Sequence, residues 1–270
     1  MSPPPARLQA VIFDWAGTTV DHGSNAPASA FVALFERHGV ALTQAEARGP
    51  MGLSKRDHIA ALFALPRVAD AWLARHGRPP DESDIDRLYV DFLPIQKAAL
   101  VRHNEVIAGV PALVAECRRR GLKIGTTTGY TRELMEIVAP AARAGGFAPD
   151  VIVCADDVPR GRPAPWMIFR AAEQLDVFPM TSLVTVDDTL VGIEAGRNAG
   201  TWTVAVTRTG NSLGLSAAEV EQLDRAELKA RLATAASQFQ RDGAHYVIET
   251  VADLVPVLDE IVKRLESAGK

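Results

Sequence analysis

The chain has 270 residues, 47% of them hydrophobic and 23% charged, which suits one large or two modest domains with ample core. A formal charge of −4 leaves no basic footprint for nucleic acid, and no apolar run approaches the ~20 residues that span a bilayer. The expected partners are therefore small molecules, with neither nucleic acid nor membrane. Cys117 and Cys154 lack metal-ligand spacing and read as reduced thiols of a cytoplasmic protein. Met1-Ser2-Pro3-Pro4-Pro5 reads as a short disordered lead, without the charged and apolar regions of a signal segment.

The first element is an apolar run, Leu8 to Phe13 interrupted by Gln9, long enough for a buried parallel strand. It stops at Asp14, and a small Ala16-Gly17-Thr18 turn follows. Ligands of open α/β sheets sit beyond the carboxyl ends of strands, so Asp14 lies where chemistry is usually placed. Gly17 allows close backbone approach to an anion, and the Thr18 hydroxyl offers a donor to phosphate oxygens. Taken alone, a strand-Asp-turn is more commonly an Asp that merely caps the turn after a core strand. Pro27 to His38 has a helical apolar face with Phe31, Leu34 and Phe35, stopped by Gly39. Thr43 and Glu46 fit a capping box, Gly49-Pro50-Met51-Gly52-Leu53 breaks the helix that box opens, and Ser54 caps the next, through Lys55, His58, Ile59, Leu62 and Phe63. Helical patterns follow over 66–75 and 83–103, the latter with a kink expected at Pro94.

No strand signal falls between Pro27 and His103. Beyond Gly109, helices (110–120, 131–144, 163–175, 191–199) alternate with strands (122–127, 151–154, 183–186, 202–206). Ser216 to Gln240 reads as a surface helical excursion, before a last strand over 245–248 and helix over 251–265. This alternation predicts an α/β fold, a doubly wound parallel-sheet, Rossmann-like core over 1–24 and 104–270. The segment 25–103 is then an inserted all-helical cap domain over the sheet's carboxyl edge.

Four strand ends bring polar groups to that edge: Asp14; Thr126-Thr127-Thr128-Gly129-Tyr130; Arg160-Gly161-Arg162-Pro163; and Asp187-Asp188-Thr189. A carboxylate nucleophile, a hydroxyl, a cation and a metal-binding acid form a set suited to phosphoryl transfer. Their order and types resemble the haloacid dehalogenase superfamily. That resemblance implies Mg²⁺ held by Asp14, the carbonyl of Ala16 and Asp188, and a covalent phosphate on Asp14. Phosphatases of the superfamily carry a general-acid Asp where Ala16 stands, and its loss from an ester hydrolase would cost about 10²–10⁴-fold. A reaction whose leaving group takes no proton there does not need it.

Lys55 offers one. It is among only six lysines in 29 basic residues, and it lies near Met51, Leu53 and Ile59, where a lowered pKa would let it form a Schiff base. His58 shares its helical face. On spacing alone, a solvated helix edge is the simpler reading of both. The stretches 14–21, 51–58, 127–133, 161–167 and 194–200, however, strongly resemble the phosphonoacetaldehyde hydrolases (phosphonatases) of that superfamily. The resemblance implies Asp14 as nucleophile, Lys55 as the imine lysine, and His58, Met51 and Tyr130 beside the imine. It implies Thr128 and Arg162 on the phosphoryl oxygens, with Thr18 and Gly129 completing the substrate site and Asp188 on Mg²⁺.

The expected activity is hydrolysis of the carbon–phosphorus bond of phosphonoacetaldehyde to acetaldehyde and phosphate, by a cytoplasmic homodimer; the apolar face of Phe31 and Phe35 either serves as its contact or packs inside the cap. The chain departs from its relatives at Gly192, where some carry a distal acid that Asp187 would replace, and at Ser24, where some carry Cys. Two rival readings are a phosphate-ester phosphatase or phosphomutase of the same superfamily, and a non-catalytic binding protein on the same scaffold.

Overall fold

The computed structural model describes residues 7–268; the Met1–Pro5 lead lies outside the described residues. Six strands, β1 (Ala10–Phe13), β2 (Lys123–Thr127), β3 (Val151–Val153), β4 (Leu183–Asp187), β5 (Trp202–Val206) and β6 (Tyr246–Ile248), form one sheet in the order β3-β2-β1-β4-β5-β6. Every pairing is parallel. Both faces are covered, so the strands alternate between two apolar cores. Val11 and Phe13 face one with Ile124, Val184 and Val204, while Ala10 and Ile12 face the other with Ile168, Ala171 and Leu183.

Strand order runs outward on both sides of the β1–β4 pair, so a crevice opens beyond the carboxyl ends of those two strands. The acid after β1, Asp14, and the last residue of β4, Asp187, meet there.

Between β1 and the next sheet-associated helix, α6 (Val110–Arg119), lie α1 (Asn25–Arg37), α2 (Gln44–Arg48), α3 (Lys55–Phe63), α4 (Pro66–His76) and α5 (Glu82–Leu100). Local chemistry sets their ends. Asp21 accepts from the backbone N–H groups of Asn25 and Ala26 to start α1, the Thr43–Glu46 capping box starts α2, and Ser54 accepts from the N–H of Asp57 to start α3. Phe31, Leu34, Phe35, Leu62, Trp72 and Phe92 are buried among these helices, in a core continuous with one face of the sheet. Phe31 and Phe35 are thus interior, so of the two readings of this face the packed one holds and the dimer contact does not: the amphipathic stripe of α1 is spent on α5 and α3.

Helix α5 runs unbroken through Pro94. The remaining helices are α7 (Arg132–Ala144), α8 (Trp166–Leu175), α9 (Leu190–Ala199), α10 (Ala217–Gln222), α11 (Arg225–Arg241) and α12 (Leu254–Ala268). Helix α8 begins three residues after the expected Pro163, because Ala164 precedes Pro165 and a residue before proline disfavours helical geometry. The expected excursion after Ser216 splits in two where Asp224 caps α11.

Candidate active site

Asp14 is held by its own backbone at the crevice, its N–H donating to the Val186 carbonyl of β4 at 2.9 Å. The turn behind it is tight: the Trp15 carbonyl accepts from the N–H groups of Thr18, Thr19 and Val20. Gly17 adopts φ +87°, and a Cβ there would lie 2.2 Å from Oδ2 of Asp188, so only glycine lets this turn close on that carboxylate. Asp188 is gripped from both sides, by the Thr18 hydroxyl at 3.0 Å on Oδ1 and the Asn211 N–H at 2.7 Å on Oδ2. Thr18, expected on phosphate oxygens, therefore spends its hydroxyl hydrogen on Asp188.

Asp187 turns its carboxylate into the same crevice. Its Oδ1 accepts from the N–H and hydroxyl of Thr189, at 2.9 and 2.7 Å. A Cβ at Gly192 would lie only 2.1 Å from that carboxylate. The Asp187 side chain thus occupies the space that an acid at 192 would need.

Arg162 ties the carboxylates together. Its Nη2 lies 2.7 Å from Asp14 Oδ1 and 3.2 Å from Asp187 Oδ2, and donates to the carbonyl and hydroxyl of Thr127 at 3.0 and 2.9 Å. Thr127, a neighbour of the expected Thr128, was not foreseen: strand alternation sends adjacent side chains to opposite faces, and which one meets Arg162 depends on the turn around Pro163. Asp14, Asp187 and Asp188 are all buried, and their nearest oxygens lie within 4.8 Å of one another. Burial pushes the Asp14 carboxyl up to about 7, against the pull of Arg162, and pushes Asp188 well above the usual carboxylate range with help from Asp14 and Asp187.

That concentration of acids suits a divalent cation. The donors are all oxygen, the carbonyl of Ala16 accepts no hydrogen bond among the described residues, and the nearby cations are Arg162 and Lys55 beside Asp14 and Arg48 toward Asp188. Asp14, Asp187 and Asp188 are the carboxylates close enough together to hold one.

Lys55 opens α3 and is 4% exposed. It lines one narrow pocket with Asp14, Ala16, Met51, Thr128, Gly129, Tyr130 and Arg162, with a volume of about 20 Å³. Its Nζ sits 4.8 Å from the centre of the Tyr130 ring and 5.6 Å from that of Phe31. Burial lowers its pKa to about 8, partly opposed by Asp14. His58 stacks on Phe31 with centroids 3.7 Å apart. Its Nε2 lies 3.0 Å from the Ala47 carbonyl, and a carbonyl only accepts, so Nε2 carries the proton and Nδ1 keeps its lone pair. Burial, helped by Lys55, holds His58 neutral, well below the usual imidazole range. Tyr130, fully enclosed, stays a phenol. Gly129 is glycine for a reason of space: a Cβ would lie 2.7 Å from the Leu53 carbonyl, on the segment that delivers Lys55.

Comparisons with known proteins agree with this construction. Residues 8–200 match the haloacid dehalogenase-like hydrolases. The chain is 50% identical over 259 residues to the phosphonoacetaldehyde hydrolase of Paraburkholderia phytofirmans, covering 96% of this chain and 97% of that one. It is 47% identical over 258 residues to that of Bacillus cereus, covering 96% and 98%. The crystal structure of a phosphonoacetaldehyde hydrolase-like protein from Oleispira antarctica superposes with a TM-score of 0.96 at 41% identity, over 97% of this chain and 95% of that one. A β-phosphoglucomutase of Clostridium difficile, at 16% identity and TM-score 0.66, shares the fold. Identity near one half across almost the whole chain shows that it belongs to the phosphonoacetaldehyde hydrolase family, within the haloacid dehalogenase-like hydrolases.

Proposed function

We propose that this chain hydrolyses the carbon–phosphorus bond of phosphonoacetaldehyde, giving acetaldehyde and phosphate. The observation that carries the reading is the sharing of one narrow pocket by the Lys55 amine and the Asp14 carboxylate.

The Lys55 amine, partly unprotonated near neutrality, condenses with the aldehyde and releases one water. The resulting iminium is an electron sink one carbon from the carbon–phosphorus bond. An Asp14 oxygen attacks phosphorus as that bond breaks, and its electron pair moves into the iminium to form an enamine. Arg162 holds Asp14 in line and bears positive charge toward the phosphoryl oxygens, assisted by the Thr128 hydroxyl. A divalent cation, Mg²⁺ in this reading, supplies charge that offsets the repulsion between carboxylate and phosphoryl group. Water cleaves the acyl phosphate, the enamine takes a proton on carbon, and a second water hydrolyses the imine. The sum consumes one water. The free Nδ1 of His58 suits it to move protons during formation and hydrolysis of the imine. Met51 and Tyr130 wall the imine off from bulk water.

No step asks for a general acid at position 16, so Ala16 is consistent with this leaving group and disfavours an ester phosphatase. A space of about 20 Å³ cannot admit the substrate, so residues 25–103 act in this reading as a cap that opens and closes on the core formed by 1–24 and 104–270. The proposal includes a homodimer, with Val90 on α5 and nearby Val101, both exposed, in place of Phe31 and Phe35. It also includes a cytoplasmic setting, consistent with two buried free thiols. Light scattering of the purified protein reads the first.

Borohydride added with phosphonoacetaldehyde should label the wild type covalently, and Lys55→Arg should lose both label and turnover. Labelling that persists in the variant removes Lys55 from its role. Faster release of phosphate from simple esters than from phosphonoacetaldehyde would favour the phosphatase reading.

A further inference from the structure

Arg48, the last residue of α2, stands three residues before Met51 and seven before Lys55. Its guanidinium reaches out of the helical segment and is half-buried against two others. Nη1 donates to the Gly23 carbonyl at 2.6 Å, to the Asn211 side-chain oxygen at 3.3 Å and, weakly, to the Ser24 carbonyl at 3.4 Å. Nη2 donates to the Asn25 side-chain oxygen at 2.8 Å and the Gly214 carbonyl at 3.0 Å. Asn211 answers, its side-chain amide donating to the Arg48 carbonyl at 3.1 Å. The fit is close, since a Cβ at Gly214 would lie 2.8 Å from Nε of Arg48.

Asn211 has a second task. Its backbone N–H is the 2.7 Å donor to Oδ2 of Asp188. One residue therefore holds the helical segment with its side chain and a metal-fitted carboxylate with its main chain. Its loop is braced on the catalytic turn as well, where the Thr209 hydroxyl donates to the Gly17 carbonyl at 2.7 Å and the Gly23 N–H donates to the Thr209 carbonyl, also at 2.7 Å.

We propose that Arg48 and Asn211 are positioning residues, a bracket that couples seating of the Lys55-bearing segment to the aim of the Asp188 carboxylate. When α2 is seated, Asn211 is pinned and its N–H fixes Oδ2. When α2 lifts, the loop is released and Asp188 loses a fixed orientation. The hydrogen-bond acceptors of Arg48 are all neutral oxygens, and the carboxylates of Asp21, Asp188 and Glu219 act on its charge only through space, so no direct ion pair locks the bracket shut. Linkage requires the converse: a bound divalent cation, by fixing Asp188, favours the seated segment by the same factor.

The inference rests on the proposed reaction only through the metal, and its test needs no turnover. Asn211→Ala is the informative variant, because it deletes the side-chain contacts with Arg48 and keeps the N–H that Asp188 accepts. Mn²⁺ titration of the full chain, read by electron paramagnetic resonance, should show affinity weakened by about 5- to 50-fold in Asn211→Ala and in Arg48→Met. The double variant should be no weaker than the weaker single variant, since both break one coupling. Borohydride trapping with phosphonoacetaldehyde should slow in parallel.

Mn²⁺ affinity within twofold of wild type in both single variants overturns the bracket, even if their melting temperatures fall. So does a fully additive loss in the double variant. A wild type that does not turn over phosphonoacetaldehyde refutes the proposed function instead, and the Mn²⁺ titration still decides the bracket.

Discussion

At the scale of single residues, the site works by forcing charges into places they would avoid. A lysine with pKa near 8 instead of 10.5 carries about 300-fold more free amine at neutral pH. The imine reaction needs that free amine. Borohydride trapping should therefore rise about tenfold per pH unit below 8 and level off above it, as a pH series of labelling rates would read. A trapping rate flat from pH 6 to 8 would contradict it. Gly17 is the second sensitive point. Gly17→Ala adds a Cβ to a left-handed residue against the Asp188 carboxylate. It should cost about 2 kcal/mol of stability, in denaturant unfolding, and weaken Mn²⁺ binding roughly tenfold or more.

At the scale of elements, short helices with strong caps deliver the chemistry. Helix α2 is only five residues long, too short to persist by propensity, and is fastened by its capping box and by Arg67, whose side chain bonds Glu46. That bond holds the Glu46 carboxyl down at about 2. A depressed carboxylate contributes stability that is present above its unfolded value of 4.5 and is lost as pH falls through the folded value. Glu46→Gln should thus lower stability by about 1 kcal/mol at pH 7, and the gap from wild type should narrow as the pH of the melt falls from 4.5 toward 3. The effect is small because the Arg67 side chain is half exposed and solvent screens the pair. Helix α3 follows the same logic with Ser54, whose cap sets the first turn and so aims Lys55 inward.

At the scale of the whole molecule, two layers meet over one crevice, and each brings half of the reaction. In the proposed reaction the sheet side supplies Asp14 and Arg162 and the helical segment supplies Lys55 and Met51, which line one pocket, while His58, stacked on Phe31, lies outside that lining. Removing the divalent cation should separate the halves: a chelator should stop phosphate release, while borohydride still traps the imine, slowed at most by the factor with which the cation favours the seated segment. The buried acids also make the cation a stabiliser. Mg²⁺ at 100 times its Kd should add about 2.7 kcal/mol, several degrees of melting temperature in a chain this size. An unchanged melting curve would remove the cation from this crevice.

The alternation of helix and strand, the helical stretch between β1 and the rest, and the four polar strand ends are all written in local order, so the amino-acid sequence by itself determined the fold class and the gathering of Asp14, Arg162 and Asp188 at one sheet edge. Lys55 stood out only through the family resemblance, since its spacing alone reads as a solvated helix edge. Periodicity, caps and turn residues act over a few positions, which is why they can be read from the chain. The inward packing of Phe31 and Phe35, the grip of Thr18 on Asp188, the choice of Thr127 for Arg162 and the filling of the Gly192 space by Asp187 were decided only in three dimensions. So was the meeting of Arg48 with Asn211 across 163 positions of chain. Each depends on which of two neighbouring side chains a distant surface selects, and that selection exists only once the layers have packed.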